Sequence, residues 1–154
     1  DHDSRYGGRP DVMPVTNPLY QKECGSCHFA YPPGLLPERS WTKLMNGLAD
    51  HFGDNAELAA DDRSALFAYL QGGASDKSSA KASVKITRSI PPDAAPLRIT
   101  EVPYFVREHR EIPARLYAKS SPVKSISNCK ACHGGAQNGS FNEHSVRIPG
   151  GGRE

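Results

Sequence analysis

Two five-residue stretches, Cys24-Gly25-Ser26-Cys27-His28 and Cys129-Lys130-Ala131-Cys132-His133, limit what this chain can fold into more than anything else in it. Each sets two thiols three positions apart with an imidazole directly behind them. That is the pattern by which two cysteines add across porphyrin vinyl groups while the adjacent histidine takes an axial position on the iron. The spacing has a steric reason. Two intervening residues let one short turn of backbone bring both sulfurs to the same ring edge, and the next side chain then points under the metal. The two copies use all four cysteines.

Other uses of these cysteines fit less well. A four-cysteine zinc site usually separates its pairs by roughly 15 to 20 residues, whereas residues 28–128 intervene here and each pair carries a histidine. A thioredoxin-like redox motif needs a βαβ context, and neither stretch has one. Disulfides suit an oxidising compartment but give no reason for the repeated histidine. Two covalently bound c-type haems are therefore expected, held by Cys24, Cys27, Cys129 and Cys132, with His28 and His133 as proximal ligands.

The chain has 154 residues, enough for one ordinary domain or two very small ones. Only 37% of them are hydrophobic, and 14 are glycine and 13 proline, so a large purely protein core is not expected. Two haems resolve that shortage, because each is a large apolar plate around which a small core can form. A formal charge of +2 is too mild for a nucleic-acid footprint. No apolar run is long enough to span a membrane. Covalent haem attachment in bacteria follows export, so a periplasmic location after removal of a signal peptide is expected.

Residues 1–16 are polar, with Gly7-Gly8 and two prolines, and read as an extended arm. Asn17 then caps a short helix over 19–23, with Pro18 at its first position. Three prolines and a glycine keep 29–37 out of a helix and suggest a loop against the haem edge. Ser40 caps a second helix whose apolar stripe runs Trp41, Leu44, Met45, Leu48 and takes in His51 before Gly53 ends it. A third helix covers about 61–70.

Residues 1–70 therefore resemble a class I cytochrome c domain, although the usual loop methionine ligand is missing. Residues 71–96, rich in Ser, Ala, Lys and Asp and then in proline, read as a linker or surface strap. Residues 97–154 hold the second haem domain. Thr100 caps a helix from Pro103 to about Arg110, Ser125 or Ser127 caps a short helix into the second motif, and a glycine-rich tail folds over the haem. The expected fold class is mostly α, a class I-like helical haem domain followed by an irregular, short-helix one.

For the two distal positions the candidates are His2, His51, His109, His144, Met13 and Met45. Met45 lies mid-helix among leucines, where a core methionine is the usual role. It is about 120° of helical rotation from His51, so the two do not face one iron. His51 is favoured for the first haem. His109 follows Phe105 and Val106 by four and three residues, which places all three on one apolar helical face. It is favoured over His144, which has polar neighbours. Sequence leaves open an exchange of His51 and His109 between the irons.

Several segments together resemble the small periplasmic dihaem cytochromes c often called DHC. They are Asn17-Pro18-Leu19-Tyr20 with the first motif, Trp41 with His51, and Pro103-Tyr104-Phe105-Val106-Arg107-Glu108-His109-Arg110-Glu111-Ile112-Pro113 ahead of the second motif. The resemblance implies His/His ligation at both irons. It further implies electron delivery to a small oxygen-binding monohaem cytochrome c, with a membrane cytochrome b as donor.

Two strong imidazoles leave an iron no vacant position, so the expected role is electron transfer at comparatively low potential rather than catalysis. Complexes should be transient, the chain a monomer, with Lys119, Lys124 and Lys130 as a docking face. The alternatives are a dihaem peroxidase or reductase, or a gas sensor, either of which needs one open iron.

Overall fold

The computed structural model describes residues 9–151, and His2 lies outside the described residues. Among these the chain is helical, with six α-helices joined by 3-10 turns and isolated bridges at His51–Asp54 and His133–Val146 but no strands. No described helix is long and apolar enough to cross a membrane.

Helix α1 (Pro18–Cys24) begins as predicted, with the Tyr20 N–H donating to Asn17 Oδ1 at 3.0 Å and Pro18 in the first turn. Its last residue is the first cysteine of the first motif. Helix α2 (Glu38–Met45) starts earlier than the predicted Ser40 cap. Pro37 precedes it, and Ser40 is buried inside with its Oγ unpartnered.

The expected single helix through to His51 breaks. Arg63 Nη2 donates to the Met45 carbonyl at 3.2 Å and to Asn46 Oδ1 at 2.8 Å, closing the helix end. A 3-10 turn, Leu48–Asp50, follows, and His51 then enters a bend with Phe52 at φ 53° and Gly53 at φ 93°. His51 is thus placed by a turn and does not share a helical stripe with Leu44.

Helix α3 (Ala60–Gly73) runs through both glycines and packs against α1 and α2. The reading of 71–96 as a segment without packed structure is corrected. It contains α4 (Lys81–Ser89), which buries Ser83 and Ile86 and is followed by buried Ile90. Its polar composition misleads because the small Ser83 allows close approach to the Pro33–Leu35 turn, where its hydroxyl donates to Gly34 O at 2.9 Å. That turn lies in the protein core, with Trp41 Nε1 donating to Pro33 O at 2.8 Å.

Helix α5 (Pro103–His109) ends close to the predicted point. Val102 precedes it instead of Thr100, and Ser89 Oγ from α4 accepts the Tyr104 N–H at 3.1 Å. Helix α6 (Cys129–Cys132) is a single turn. Asn128 stands at its start, while Ser125 and Ser127 bond to each other at 2.7 Å instead of capping it.

The main apolar cluster runs from Val12 to Val102. Val12 is 0% exposed, so the predicted polar arm ends in a core residue. Its N–H donates to Gly139 O at 3.1 Å, and Asp11 Oδ2 accepts the Phe141 N–H at 2.7 Å, stitching the tail to the start of the described chain. Gly139, at φ 77°, leaves no room for a Cβ against the Val12 carbonyl.

Candidate functional site

The structure gathers four of the candidate histidines into two pairs. His28 and His51 face each other with ring centroids 6.4 Å apart and planes at 33°. His133 and His109 do so at 6.2 Å and 74°. A metal–imidazole bond of about 2.0 Å on each side, with roughly 1.1 Å from nitrogen to ring centroid, sets two imidazoles across one metal about 6.2 Å apart. Both pairs meet that separation, and each contains the histidine of one Cys-x-x-Cys-His stretch.

Local bonds aim the rings. The Nδ1 of His28 lies 2.8 Å from Phe29 O and that of His109 lies 2.7 Å from Phe105 O. A carbonyl only accepts, so Nδ1 carries the proton in both and Nε2 keeps the lone pair that a metal takes. Phe105 stacks on His109 at 3.8 Å and 15°, holding it by a helical i,i+4 contact. Val106, predicted to share that face, is 49% exposed.

His133 Nδ1 is buried and has no hydrogen-bond partner among the described residues. Burial and then the neighbouring His109 push its pKa down to about 4, against a smaller opposing pull from Asp11. Burial and then His28 also lower His51, with Arg98 acting in the same direction and Asp54 opposing. A neutral imidazole is the form that binds metal.

The thiols sit in matching surroundings. None of the four cysteines is in a disulfide. Burial raises Cys24 to about 11, with Glu23 adding to it, and burial raises Cys129 to about 11. Both are therefore protonated thiols at neutral pH rather than activated thiolates. Among the described residues no three His, Cys, Asp or Glu side chains converge on a common metal position, which removes the four-cysteine zinc arrangement. Paired thiols with two facing imidazoles fit a porphyrin iron.

The remaining candidates stand elsewhere. Met45 is 3% exposed within the main core, Met13 lies on the surface, and His144 is exposed in the Glu143–Ser145 turn. Among the described residues no ring contact joins His144 to either pair.

Aromatic neighbours absent from the sequence reading close the sites. Phe141 stands edge-on to His133 at 5.2 Å, and Tyr31 lies 5.2 Å from His28. Phe52 packs on His51 at 4.7 Å under the guanidinium of Arg98, 4.1 Å from its ring. The only sequence cue was Phe29 and Tyr31 standing just beyond the first motif.

The family model for dihaem cytochrome c matches residues 20–141. A diheme cytochrome c from Rhodobacter sphaeroides is similar at 44% identity and a TM-score of 0.74, over 84% of this chain and 100% of that one. A diheme cytochrome type c from Shewanella baltica OS155 is similar at 39% identity and a TM-score of 0.72, over 89% of this chain and 96% of that one. A further structure of DHC from Rhodobacter sphaeroides reaches 42% identity and a TM-score of 0.65, over 84% and 100%. No curated protein matches the sequence. The chain belongs to the dihaem cytochrome c family, as a mostly helical electron-transfer cytochrome with two covalently bound c-type haems.

Proposed function

We propose that the chain is a bis-histidine electron carrier of the periplasm, taking electrons from a membrane cytochrome of the b type and passing them to a small oxygen-binding monohaem cytochrome c. The observation that carries this reading is the pair of facing imidazoles at each motif, 6.4 and 6.2 Å between centroids. When bound, the haems supply one-electron oxidation and reduction.

The chain's residues do the rest. Cys24 and Cys27 tether one group and Cys129 and Cys132 the other, through thioether bonds that survive unfolding. His28 and His51 would hold the first iron, and His133 and His109 the second. Imidazole donors paired in this way would leave neither iron free for a substrate and would keep the potential below that of a His/Met site. The carbonyls of Phe29 and Phe105 fix the tautomer of one ligand at each iron and raise its basicity.

Location and partners rest on the family resemblance. The exposed Lys119, Lys124 and Lys130 around the second motif offer a cationic face for a transient complex.

Visible and low-temperature EPR spectra of the purified holoprotein, with and without carbon monoxide, test the reading. Two low-spin signals and no reaction with carbon monoxide are expected. Ring planes at 33° and 74° should make the two signals distinct, since crossed imidazoles bring the iron dπ orbitals closer in energy. A high-spin or carbon monoxide-reactive haem would mean an open site and hence an enzyme or a sensor. For the partners, reduction of the monohaem acceptor should slow with added salt.

A further inference from the structure

The two motifs stand 105 positions apart in sequence, from Cys24 to Cys129, yet one side chain joins the first to the residue two positions before the second. Tyr31 lies three residues beyond His28, with its ring 5.2 Å from the His28 ring and tilted by 38°. Its hydroxyl donates to the Ser127 carbonyl at 2.9 Å, across 96 positions of sequence. That carbonyl is not an incidental acceptor. It also receives the Cys129 N–H at 3.0 Å and lies 3.5 Å from Cys129 Sγ, so it shapes the turn that presents the first cysteine of the second motif. A thioether sulfur has no proton to donate. Once Cys129 is alkylated, its own N–H and the Tyr31 hydroxyl are the donors left to that oxygen.

Tyr31 is itself held on the first-motif side. Its carbonyl accepts the Tyr20 hydroxyl at 2.5 Å, and Phe29 stands edge-on to it at 5.4 Å. Lys130, inside the second motif, reaches back to 5.9 Å from the Phe29 ring. The segment after His28 and the segment around Cys129 are therefore joined by one hydrogen bond between a core-anchored ring and a motif-shaping carbonyl, with a weak cation–π contact beside it.

We propose that Tyr31 is the positioning residue that couples the two haem sites, its ring bracing His28 while its hydroxyl fixes the Ser127–Cys129 turn at a set distance from it. Through this bond the oxidation state at one site bears on the placement of the other, so the interval between the two reduction potentials depends on the Tyr31 hydroxyl. The electron itself needs no co-reactant, because one iron is oxidised as the other is reduced. The inference rests on the proposed ligation by His28 and attachment through Cys129.

EPR-monitored redox titration of the holoprotein tests it, with three proteins compared. In the unsubstituted chain, two low-spin haems by spectrum and haem content check the ligation and attachment independently of Tyr31. Tyr31→Phe keeps the ring and removes the hydroxyl. It should retain both low-spin haems but shift the interval between the two potentials and move the EPR line of the second haem. Ser83→Ala is the control for general loosening, since it also removes one buried hydroxyl bound to a carbonyl, that of Gly34, but touches neither Tyr31 nor Ser127. Its interval should stay at the unsubstituted value. The proposal is overturned if Tyr31→Phe leaves interval and line unchanged, or if Ser83→Ala moves them as far.

Discussion

The two haem sites use the same five-residue motif but are supported differently. At the first, His28 is exposed and steadied by the next carbonyl and the Tyr31 ring, while its partner His51 is carried on a bend with two successive positive φ values, 53° and 93°. Leu48, just before this bend, belongs to the main apolar cluster, which spans Val12 to Val102. At the second, His109 ends a helix and is stacked under Phe105, while His133 is half-buried with an orphaned Nδ1.

Few apolar side chains are buried beyond Val102. Leu116, Val123, Cys129, Ala136 and Ile148 lie outside the main cluster. The first site is thus a haem added to a protein core, whereas the second is a short stretch of chain for which the haem is most of the core.

The largest consequence concerns attachment. Replacing Cys129 and Cys132 by serine should reduce the pyridine haemochrome count from two haems per chain to one and abolish amide protection over 114–148. Replacing Cys24 and Cys27 should also remove one haem, yet leave protection in α2 to α4, where Trp41, Leu66, Leu70 and Ile86 pack on one another. Equal loss of protection throughout both variants would erase the distinction between the two halves.

Ligand replacement comes next. His51→Ala and His109→Ala should each make one haem high-spin and reactive with carbon monoxide, seen as loss of one low-spin EPR signal. They should differ in thermal stability. His109→Ala removes a stacked ring and should cost about 1 to 2 kcal/mol, while His51→Ala, on an exposed bend, should cost about 0.5 kcal/mol. The reverse order would show that the bend, not the helix, is the better-braced ligand support.

A good deal of this was legible in sequence. The motifs, the Asn17 cap with Pro18, and the helix ending at His109 follow from local chemistry that the neighbouring residues alone decide. His51 was picked for a helical stripe that does not exist, since the Arg63 bonds ending α2 come from a helix that starts fifteen residues beyond Met45. The burial of α4 was hidden because serine reads as solvated until its partner, the Gly34 carbonyl, is known. Tyr31 and Phe141 escaped for the same reason. Their roles depend on Ser127 and Asp11, 96 and 130 positions away, and no periodicity reports such a pairing.

A smaller effect sharpens the first site. Gly53 at φ 93° has open space around it, so alanine there meets no clash and pays only for the left-handed backbone. Gly53→Ala should cost about 1 kcal/mol in thermal unfolding while both haems stay low-spin. A neutral result would mean the bend relaxes freely and does not hold His51.

The smallest effect appears only in alkali. Tyr20, 3% exposed, has its pKa raised well above the usual 10, first by burial and then by Cys24, Tyr69 and Tyr31. With Cys24 alkylated, burial and the two tyrosines remain. A group whose folded pKa lies above its unfolded value adds stability below the unfolded pKa and loses it as pH rises beyond. Unfolding midpoints of the holoprotein should therefore fall above about pH 10. Tyr20→Phe should start about 1 kcal/mol lower at neutral pH, for the lost bond to Tyr31 O, but decline less steeply, by up to one proton's worth, about 1.4 kcal/mol per pH unit. Since Tyr20 feeds Tyr31, and Tyr31 holds Ser127, parallel decline in the two proteins would place the alkaline weakness in a group other than Tyr20.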